Sequence, residues 1–469
     1  MVRVNNVNLL DPQQLGALMR LQNIDDAIAL NNLRISTQKR INSAKDDPSG
    51  LVAVQRLQSE VDALDVTTKS LSRASALLNS ADAAAGKIVT QLTQARSLVL
   101  AAAGGSLSGA EVAGKQAELD NAIRAISNLA GTEFNGHRLL DGSSGYQVTG
   151  LNNSQFKNVT VLDRQNSASI AVSVNVTTQA TQAANSYTSG ALGSDTVVNV
   201  TGASGTAAVT LANGATTDDI ASAFNAVSHL TGVTATKING SQVNFASVGY
   251  GSQEKITIAA QSGTFATTTS GTVSGTDAVA TINGQTLTAQ GTTFTVNTQQ
   301  SLLSISAAPS ASGTLTSFTV SGQGMQFLVG EGVGDTAGIG LPNLNAGALN
   351  SIYGTLSSVM SGGTSSLTSG NLANTLAIVD AALVTATAAQ SRIGGFEKYT
   401  LASAATVAAK TKENVESAIA DRDGFDLATE TSLLAKNQLL QQATIQSLQI
   451  FHQSSLSILS LLSSVASRS

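Results

Sequence analysis

The chain has 469 residues, of which 12% are charged and 3% aromatic, and its net charge is −5. This length is too great for a single hydrophobic core and predicts several domains. The charge balance offers no basic footprint for nucleic acid, and the absence of cysteine excludes disulfides, thiolate nucleophiles and cysteine-ligated metals.

The first residues do not predict a cleaved signal peptide, so that if the protein leaves the cell it does so by a route that reads no such signal. They lack the basic segment and unbroken apolar core of a secretory signal peptide, and no run of eighteen uncharged apolar residues predicts a membrane span. Asp11-Pro12 is instead a helix start signal. The helix that follows carries Leu21, Ile24, Ile28 and Ile35 on one face.

A second start signal, Asp47-Pro48, opens a much longer predicted helix. Its apolar and small residues alternate in steps of three and four over roughly six heptads, which is the pattern of a coiled-coil seam. The seam residues are Val54, Leu57, Val61, Leu64, Thr68, Leu71, Ser75, Leu78, Ala85, Val89 and Leu92. Taken alone, the pattern also fits a generic long coiled coil.

The next segment predicts a helical hairpin followed by a β-hairpin. Gly104-Gly105 ends the long helix, and Ser108 with Glu111 forms a capping box that opens another. The apolar face of this helix carries Val112, Leu119, Ile123, Ile126 and Ala130. Asn135-Gly136 then predicts a two-residue hairpin turn.

Helical periodicity disappears between Ser143 and about Asn345. Short Val, Thr and Ile runs alternate with Gly, Asn and Ser, which predicts strands at 197–200, 207–211, 233–236, 242–245 and 255–258, and a second β stretch from Val273 to Val329. One helix begins at Thr217. The glycines of 330–334 and 338–340 lack the lysine of a phosphate loop and are interpreted as linker.

Helical spacing is expected to return near Ala348. Its seam is Leu372, Leu376, Val379, Leu383, Ala386 and Ile393, and Gly394-Gly395 is expected to loosen this helix without ending it. Asp421, Asp423 and Asp426 are spaced somewhat like a calcium loop, but helix capping explains them better. They separate this helix from a final one over 427–466.

The final helix is apolar over about half of its circumference. One arc contains Leu427, Leu434, Ile445, Leu448, Leu456, Leu459 and Leu462, and a neighbouring arc contains Leu433, Leu440, Phe451, Ile458 and Val465. A helix with two apolar arcs needs two neighbours. We expect one to be the N-terminal helix and the other to come from further copies of the chain. The predicted packing residues are Leu21, Ile24, Ile28, Ile35, Leu434, Ile445, Leu448, Phe451, Leu456, Leu459 and Leu462.

No catalytic constellation is visible in the sequence. His137, His229 and His452 have no second histidine at ligand spacing, and we expect His137 in a solvated turn and His452 in the apolar arc. No nucleophile elbow has partner residues. The sequence therefore predicts no enzyme activity, no cofactor and no metal site.

Several motifs resemble those of the bacterial flagellins. They are RINSAKDDPSGL at 40–51, FNGHRLLDG at 134–142, AAQSRIG at 388–394, ETSLLAKNQLLQQ at 430–442 and LSLL at 459–462. They cover about the first 140 and last 120 residues in the order of the family. The central piece at 215–227 is similar to a module found in flagellin inserts.

The resemblance implies a multidomain α plus β fold, in which long antiparallel coiled-coil helices from both termini pack together and carry a mostly β outer insert. Residues 1–46 and 422–469 would form inner-tube helices, and 47–145 with 346–421 would form a helical shell domain. Residues 146–345 would form the surface-exposed insert of one or two subdomains.

The implied function is that of a structural subunit, which polymerises into the extracellular flagellar filament for motility. The implied partners are copies of itself, the flagellar type III export apparatus, an export chaperone that binds the C-terminal helix, and the filament cap and hook-junction proteins. Neither nucleic acid nor membrane is expected as a partner. A hook–filament junction protein of the same family is the alternative, and an adhesive or enzymatic role of the insert is a third possibility.

The chain also departs from the family pattern. Pro48-Ser49 replaces two alanines, Gly424 is additional, and Phe451-His452 replaces Ala-Asn. The resemblance places the innate-receptor patch of the family at Gln94, Leu98 and Glu118. Because Gln94 stands where the family has an arginine, receptor activation is not expected.

Overall fold

The computed structural model describes residues 12–105, 107–164, 169–298, 301–332 and 334–466. The α-helices are α1 (Pro12–Thr37), α2 (Pro48–Ala103), α3 (Gly109–Ala130), α4 (Thr217–Ala226), α5 (Ser228–Thr231), α6 (Leu372–Phe396), α7 (Ala402–Asp423) and α8 (Leu427–Ala466). Two 3₁₀ turns, Leu356–Val359 and Leu367–Ser369, precede α6, and a π-helical turn, Glu397–Leu401, joins α6 to α7.

The strands lie between α3 and α6. They are β1 (Glu133–Phe134), β2 (His137–Arg138), β3 (Gln147–Thr149), β4 (Phe156–Arg164), β5 (Ile170–Val172), β6 (Val174–Thr178), β7 (Ala184–Tyr187), β8 (Thr196–Thr201), β9 (Thr206–Leu211), β10 (Val233–Asn239), β11 (Gln242–Ser247), β12 (Lys255–Ser262), β13 (Thr272–Ser274), β14 (Val279–Ile282), β15 (Gln285–Thr288), β16 (Thr293–Asn297), β17 (Ser301–Ala307), β18 (Gly313–Thr314), β19 (Phe318–Ser321), β20 (Met325–Leu328), β21 (Thr336–Ile339), β22 (Asn350–Ser351) and β23 (Gly354–Thr355).

The chain is therefore a multidomain α plus β protein with long terminal helices and a mostly β middle, as the sequence predicted. Contacts divide it into two compact units. The first unit is Met1–Thr68 with Thr406–Ser469, and the second is Lys69–Ala405. These bounds come from contacts alone, and the domain limits expected from the family resemblance stay a prediction.

The first unit contains two helix pairs. The start of α2 packs against α7 through a small apolar cluster made of Val61, Leu64, Ala408 and Val415. The Lys412 ammonium also donates to Asp65 at 2.6 Å, and this bond raises the pKa of Lys412. The other pair is α1 with α8, which confirms that the N-terminal helix is a neighbour of the final one.

The second unit has a helical core formed by α2, α3 and α6. The capping box of Ser108 and Glu111 opens α3 as predicted, and Leu119, Ile123 and Ile126 on its face are fully buried. Helices α2 and α6 run antiparallel, since Arg96 contacts Asp380 at 2.7 Å while Ser75 contacts Glu397 at 2.6 Å. The largest buried side chains of this core include Leu78, Ile88 and Leu92.

Two further cores lie within the β region. One is surrounded by antiparallel three- and four-stranded sheets, with the orders β15-β14-β6-β18, β16-β17-β4 and β3-β19-β5. The other packs α4 against the sheets β10-β11-β7 and β13-β12-β8-β9. The predicted strands and the predicted helix at Thr217 are confirmed, and Thr216 and Asp219 form a capping box at the start of α4.

Two expectations for the end of the β region are wrong. The first α-helix after it begins at Leu372, because the β22–β23 hairpin and the 3₁₀ turns occupy the segment from Asn350 onward. The glycines interpreted as linker belong to a hairpin, since Gly338 lies within β21. This hairpin places Phe327 and Ile339 in the helical core.

The π turn results from one extra residue in the seam. Val379, Ala386 and Ile393 follow one another at intervals of seven, but the next buried position is Leu401, and intervals of seven resume at Ala408 and Val415. The partner helix α2 keeps intervals of seven. The π turn absorbs the additional residue, directly after the glycines that were expected to loosen the helix.

Within the residues that the structure describes, one helical stretch, Leu372–Ser454, is apolar enough to cross a membrane by length and composition, although 39% of its most apolar window is buried. The core helices of soluble proteins pass the same test. The expectation that the chain has no membrane span stays a prediction.

Candidate assembly site on the terminal helices

Helices α1 and α8 form an antiparallel pair, called here the terminal pair. Asn31 lies between Glu430 and Asn437, whereas the earlier residue Asp25 reaches the later residue Gln441. The pairing therefore runs in opposite directions along the two helices. This geometry brings the first and the last helix together, as expected from the apolar arcs of the final helix.

Polar side chains occupy much of the contact between these helices. The Asn31 amide donates to one carboxylate oxygen of Glu430 at 2.5 Å, and the Arg34 guanidinium donates to the other at 3.2 Å. The Asn437 side-chain amide donates to the side-chain oxygen Oδ1 of Asn31 at 2.9 Å. Asn31 and Glu430 are 5% and 7% exposed. Together with the Gln441–Asp25 bond, these residues form the polar seam.

The polar seam fills gaps in the predicted apolar series. In α1, Leu21, Ile24, Ile28 and Ile35 are half-buried. Asn31 lies at the position between Ile28 and Ile35 that continues their spacing of three and four residues. In α8, Leu434, Leu448 and Phe451 are half-buried. The positions at the same spacing between Leu434 and Leu448 hold Asn437, Gln441 and Thr444. The sequence interpretation missed the seam because it counted only apolar residues, although the spacing itself marked these positions.

Two other predicted packing residues, Ile445 and Leu456, are exposed in the single chain. Ile445 is 41% exposed and Leu456 52% exposed, and the side chains of Leu459 and Leu462 lie outside those that the structure describes. His452 is also exposed, so the expectation that it packs in the apolar arc is wrong for the single chain.

The terminal pair leaves many large apolar side chains in solvent. We call them the outer apolar face: Leu15, Leu18, Met19 and Leu33 of α1, and Leu427, Leu433, Leu439, Leu440, Ile445, Ile450 and Leu456 of α8. Leu439 and Ile450 are the most exposed, at 68% and 66%. Exposed apolar surface on this scale is typical of an interaction site.

The motif at 40–51 ties the terminal pair to the end of α7. The Asp423 carboxylate accepts the backbone N–H groups of Arg40 and Ile41 at 2.8 and 3.1 Å. The Arg40 guanidinium donates to the carbonyls of Asp423 and Arg422 at 2.7 and 3.0 Å. Gly424 adopts a left-handed conformation (φ +53°) that ends α7, which explains the additional glycine.

Two carboxylates shape the rest of this motif. Burial would raise the pKa of Asp46, but the N–H groups of Ser43 and Asn42 more than offset it and hold that pKa below its ordinary value. Asp47 caps α2 by accepting the N–H of Gly50 at 2.8 Å, and this bond lowers the pKa of Asp47. A Cβ at Gly50 would meet the Asp47 carboxylate and lie 2.7 Å from Ile41 Cδ1, so a larger residue would force these side chains to move.

The acidic residues before α8 act as helix caps. Asp426 accepts the N–H of Ala428 at 2.9 Å and the hydroxyl of Thr429 at 2.8 Å. Among the described residues, no group of three metal-ligating side chains is close enough to hold an ion.

Comparison with known proteins matches both ends of the chain. Residues 12–145 match the bacterial flagellin N-terminal helical region, and residues 376–462 match the bacterial flagellin C-terminal helical region. The chain is a flagellin-family protein. This family is structural, and membership identifies the chain as a structural component of the bacterial flagellum.

Solved structures similar to this flagellin-family chain are also flagellar. The hook associated protein-3 of Legionella pneumophila is 12% identical, with a TM-score of 0.32 over 80% of this chain and 100% of that one. The D2-D3 domains of the Escherichia coli cap protein FliD are 15% identical, with a TM-score of 0.28 over 38% and 97%. These likenesses are too low to carry an argument. No curated protein matched the chain.

The three positions that the resemblance assigns to the family's receptor patch differ in the exposure of their side chains. Gln94 and Glu118 are exposed, and Glu118 pairs with Lys115 at 3.1 Å, whereas Leu98 is 7% exposed and packs in the helical core. The expectation that this flagellin-family protein does not activate the receptor stays a prediction.

Proposed function

We propose that the chain is the subunit that polymerises into the bacterial flagellar filament for motility. The observation that carries this proposal is the outer apolar face, which remains in solvent after α1 and α8 have packed together. Burying one leucine or isoleucine side chain contributes about 1.5–3 kcal/mol. Several such side chains on each copy can therefore drive stacking of terminal pairs into a helical homopolymer.

The polar seam supports the same proposal. Buried polar residues in a helix pair fix its register at a cost in stability. A register held by Asn31 and Glu430 presents the outer apolar face of every copy in the same arrangement. Identical faces are what a regular polymer requires.

We assign three layers to the subunit. Residues 1–46 and 422–469 form the inner tube, residues 47–145 with 346–421 form a helical shell, and residues 146–345 form a surface-exposed insert. Leu21, Ile24, Ile28, Ile35, Leu434, Leu448 and Phe451 pack within the copy, and Ile445, Leu456, Leu459 and Leu462 pack between copies.

The same face requires protection before assembly. We propose that a cytosolic chaperone covers α8, that the flagellar type III apparatus exports the chain, and that the filament cap and hook-junction proteins are its further partners. The polymer is then extracellular, and the chain has no enzymatic role.

Truncation after Leu448 tests the proposal. It removes Ile450 and Leu456 but leaves the polar seam, the motif at 40–51 and the whole second unit. We expect the purified truncated chain to keep its far-UV circular dichroism per helical residue and to form no filaments by electron microscopy, where the full chain does. Filaments of the truncated chain would refute the proposal.

Copy number separates the filament subunit from a hook–filament junction protein. The subunit should be a main protein of sheared filaments, and a junction protein should be present in only a few copies. Quantitative mass spectrometry of sheared filaments measures this difference.

A further inference from the structure

A pocket of about 550 Å³ lies in the second unit, between the sheet β16-β17-β4 and helix α6. Its volume falls within the range of small-molecule sites, about 300–1,000 Å³. It is part of neither the terminal pair nor the motif at 40–51. We call it the hydroxyl pocket, because most of the side chains that the sheet contributes to it are those of threonine and serine.

The alternation of side chains along the strands directs these hydroxyls into the pocket. Phe294 and Val296 of β16 and Ile305 of β17 are buried in the core on one face of the sheet, so the residues between them lie on the other face. Strand pairing aligns the residues of this other face in two rows across three strands, which are Thr295–Ser304–Thr160 and Thr293–Ser306–Asn158. Because neighbouring strands lie about 4.8 Å apart, the sheet presents polar groups at short, regular intervals.

The hydroxyls of the first row, Thr295–Ser304–Thr160, form no hydrogen bond within the part of the chain that the structure describes. Threonines of the sheet β13-β12-β8-β9 differ, because they pair across strands: Thr201 with Thr206 at 2.9 Å, and Thr257 with Thr272 at 2.7 Å. A hydroxyl can both donate and accept a hydrogen bond. The first row therefore has donors and acceptors to offer to a ligand.

Two tyrosines and an apolar strip of α6 also line the pocket. Tyr250 and Tyr353 are half-buried, and the strip includes Ala388 and Val384, which is 70% exposed. Burial raises the pKa of Tyr353 to about 12, and the nearby Glu254 and Tyr250 add to the rise. The Tyr353 phenol thus stays protonated at neutral pH and can donate a hydrogen bond, while its ring offers an apolar face.

Hydrogen bonds between the lining elements hold the pocket in shape. The Asn350 amide of β22 donates to the Lys157 carbonyl of β4 at 2.7 Å. Arg392 of α6 donates to the Leu162 carbonyl, also in β4, at 3.1 Å. The sheet, the β22–β23 hairpin and the helix are thereby joined around the pocket, so a ligand would order few groups on binding.

We infer that the hydroxyl pocket binds a sugar of one or two rings. A sugar ring carries hydroxyls around its edge and C–H groups on its faces. The first row and the side-chain amide of Asn158 can exchange hydrogen bonds with the edge, and the tyrosine rings and the apolar strip can pack against a face. A purely apolar ligand would instead leave the hydroxyls of the first row without partners. This site goes beyond polymerisation, because it uses no residue of the terminal pair.

Saturation-transfer NMR of the full-length monomer tests the inference. The probes are the methyl glycosides of glucose, galactose, mannose, fucose, N-acetylglucosamine and N-acetylgalactosamine, together with maltose and lactose. We expect saturable transfer to at least one of them. Ser304→Ala removes the central hydroxyl of the first row and should weaken binding of that sugar about 5-fold, the loss expected for one hydrogen bond. Ser274→Ala, at an exposed serine of β13, should leave binding unchanged.

A second variant fills the pocket and keeps all of its polar groups. Ala388→Phe places a ring in the pocket from an exposed position of α6 and should abolish binding. Thr387→Phe is the matched control, since Thr387 is the neighbouring exposed residue of α6 and lies outside the lining of the pocket. The absence of saturable transfer to every probe, or binding that Ala388→Phe leaves unchanged, would overturn the inference. Binding that Ala388→Phe abolishes and Ser304→Ala leaves unchanged would overturn the role of the first row.

Discussion

In the second unit, α2, α3 and α6 meet along leucine, isoleucine and alanine side chains. In the first unit, α1 and α8 meet along half-buried leucines and isoleucines that alternate with asparagine, glutamine and glutamate. Leu78, Ile88 and Leu92 of α2 are fully buried. In the terminal pair, the most buried side chains are the polar Asn31 and Glu430, and leucines such as Leu439 face solvent. The two packings therefore differ in which side chains are most buried, which are apolar in the helical core and polar in the terminal pair.

The two packings differ in what they contribute: the apolar one mainly stabilises its helices, and the polar one mainly fixes their register. An apolar seam contributes burial energy without any partner, so the helical core of the second unit can be stable within one copy. A polar seam contributes little net energy but allows few alternative registers. The register of the terminal pair is thus specified within one copy, and in the proposed polymer the outer apolar face is buried between copies.

The largest expected effect concerns the phase of the apolar seam. Deleting Ala388, an exposed residue of α6, turns Ala389 and Ile393 about 100° out of the helical core and should cost about 3–5 kcal/mol. Deleting Lys398 removes the inserted residue from the π turn instead, and the interval from Ile393 to Leu401 becomes seven. We expect this second deletion to change the free energy of unfolding by less than about 1 kcal/mol.

Urea unfolding followed by circular dichroism measures both deletions. Equal losses would mean that the π turn is required for the packing of α6 and α7, rather than absorbing one additional residue.

The next prediction compares a leucine of the helical core with a leucine of the outer apolar face. Leu92→Ala opens a cavity in the helical core and should lower the free energy of unfolding by about 2–5 kcal/mol. Leu439→Ala, at 68% exposure, should change it by less than about 0.5 kcal/mol and yet raise the concentration needed for polymerisation. Urea unfolding of the monomer and sedimentation of the polymer give the two values. A loss of monomer stability in Leu439→Ala would contradict the assignment of this face to contacts between copies.

The sequence predicted the helices and most strands, because their apolar spacing and capping residues are local signals. It predicted only part of the buried face of α2, since alanines such as Ala74, Ala81 and Ala95 are buried as well. Alanine carries little periodic signal, and only a facing helix shows which alanines are buried. The segment from Asn350 to Ser369 was missed for a related reason, because its short elements are stabilised by distant partners.

The sequence predicted that the two terminal helices pair, but it did not predict the polar contacts between them. The pairing of both chain ends followed from the excess of apolar surface on the final helix. Asn31 and Glu430 could not be paired from sequence, because 399 positions separate them and no local pattern connects the two. Their register depends on which way α8 runs beside α1.

Removing the buried carboxylate tests the polar seam. Glu430→Ala deletes the acceptor of both Asn31 and Arg34 and leaves the buried Asn31 amide without it, which should cost about 1–3 kcal/mol. Hydrogen exchange of the α8 amides in the monomer measures the loss. Glu413→Ala on α7 is the control, since its carboxylate pairs only with Lys410 at the surface and should matter little. Equal exchange in both variants would show that Glu430 does not hold the register.

The smallest expected effect is a pH dependence in the second unit, at Asp120. Its carboxylate accepts the Ser361 hydroxyl at 2.6 Å and the Gln116 amide at 2.7 Å, and Arg124 lies 3.8 Å away. Burial would raise the pKa of Asp120, but these bonds more than offset it and the pKa is lowered. The ionised carboxylate therefore adds stability that is fully present above about pH 4 and is lost as the pH falls through the folded-state pKa.

Asp120→Asn removes this titration. We expect its urea midpoint to be lower than that of the full chain at neutral pH but to fall less steeply below about pH 4. Ser361→Ala removes only the hydroxyl donor and should give part of the same flattening. A midpoint that falls as steeply in Asp120→Asn as in the full chain would assign the acid sensitivity to other carboxylates. The motif at 40–51 would then be the first place to look, because Asp46 and Asp47 also have lowered pKa values.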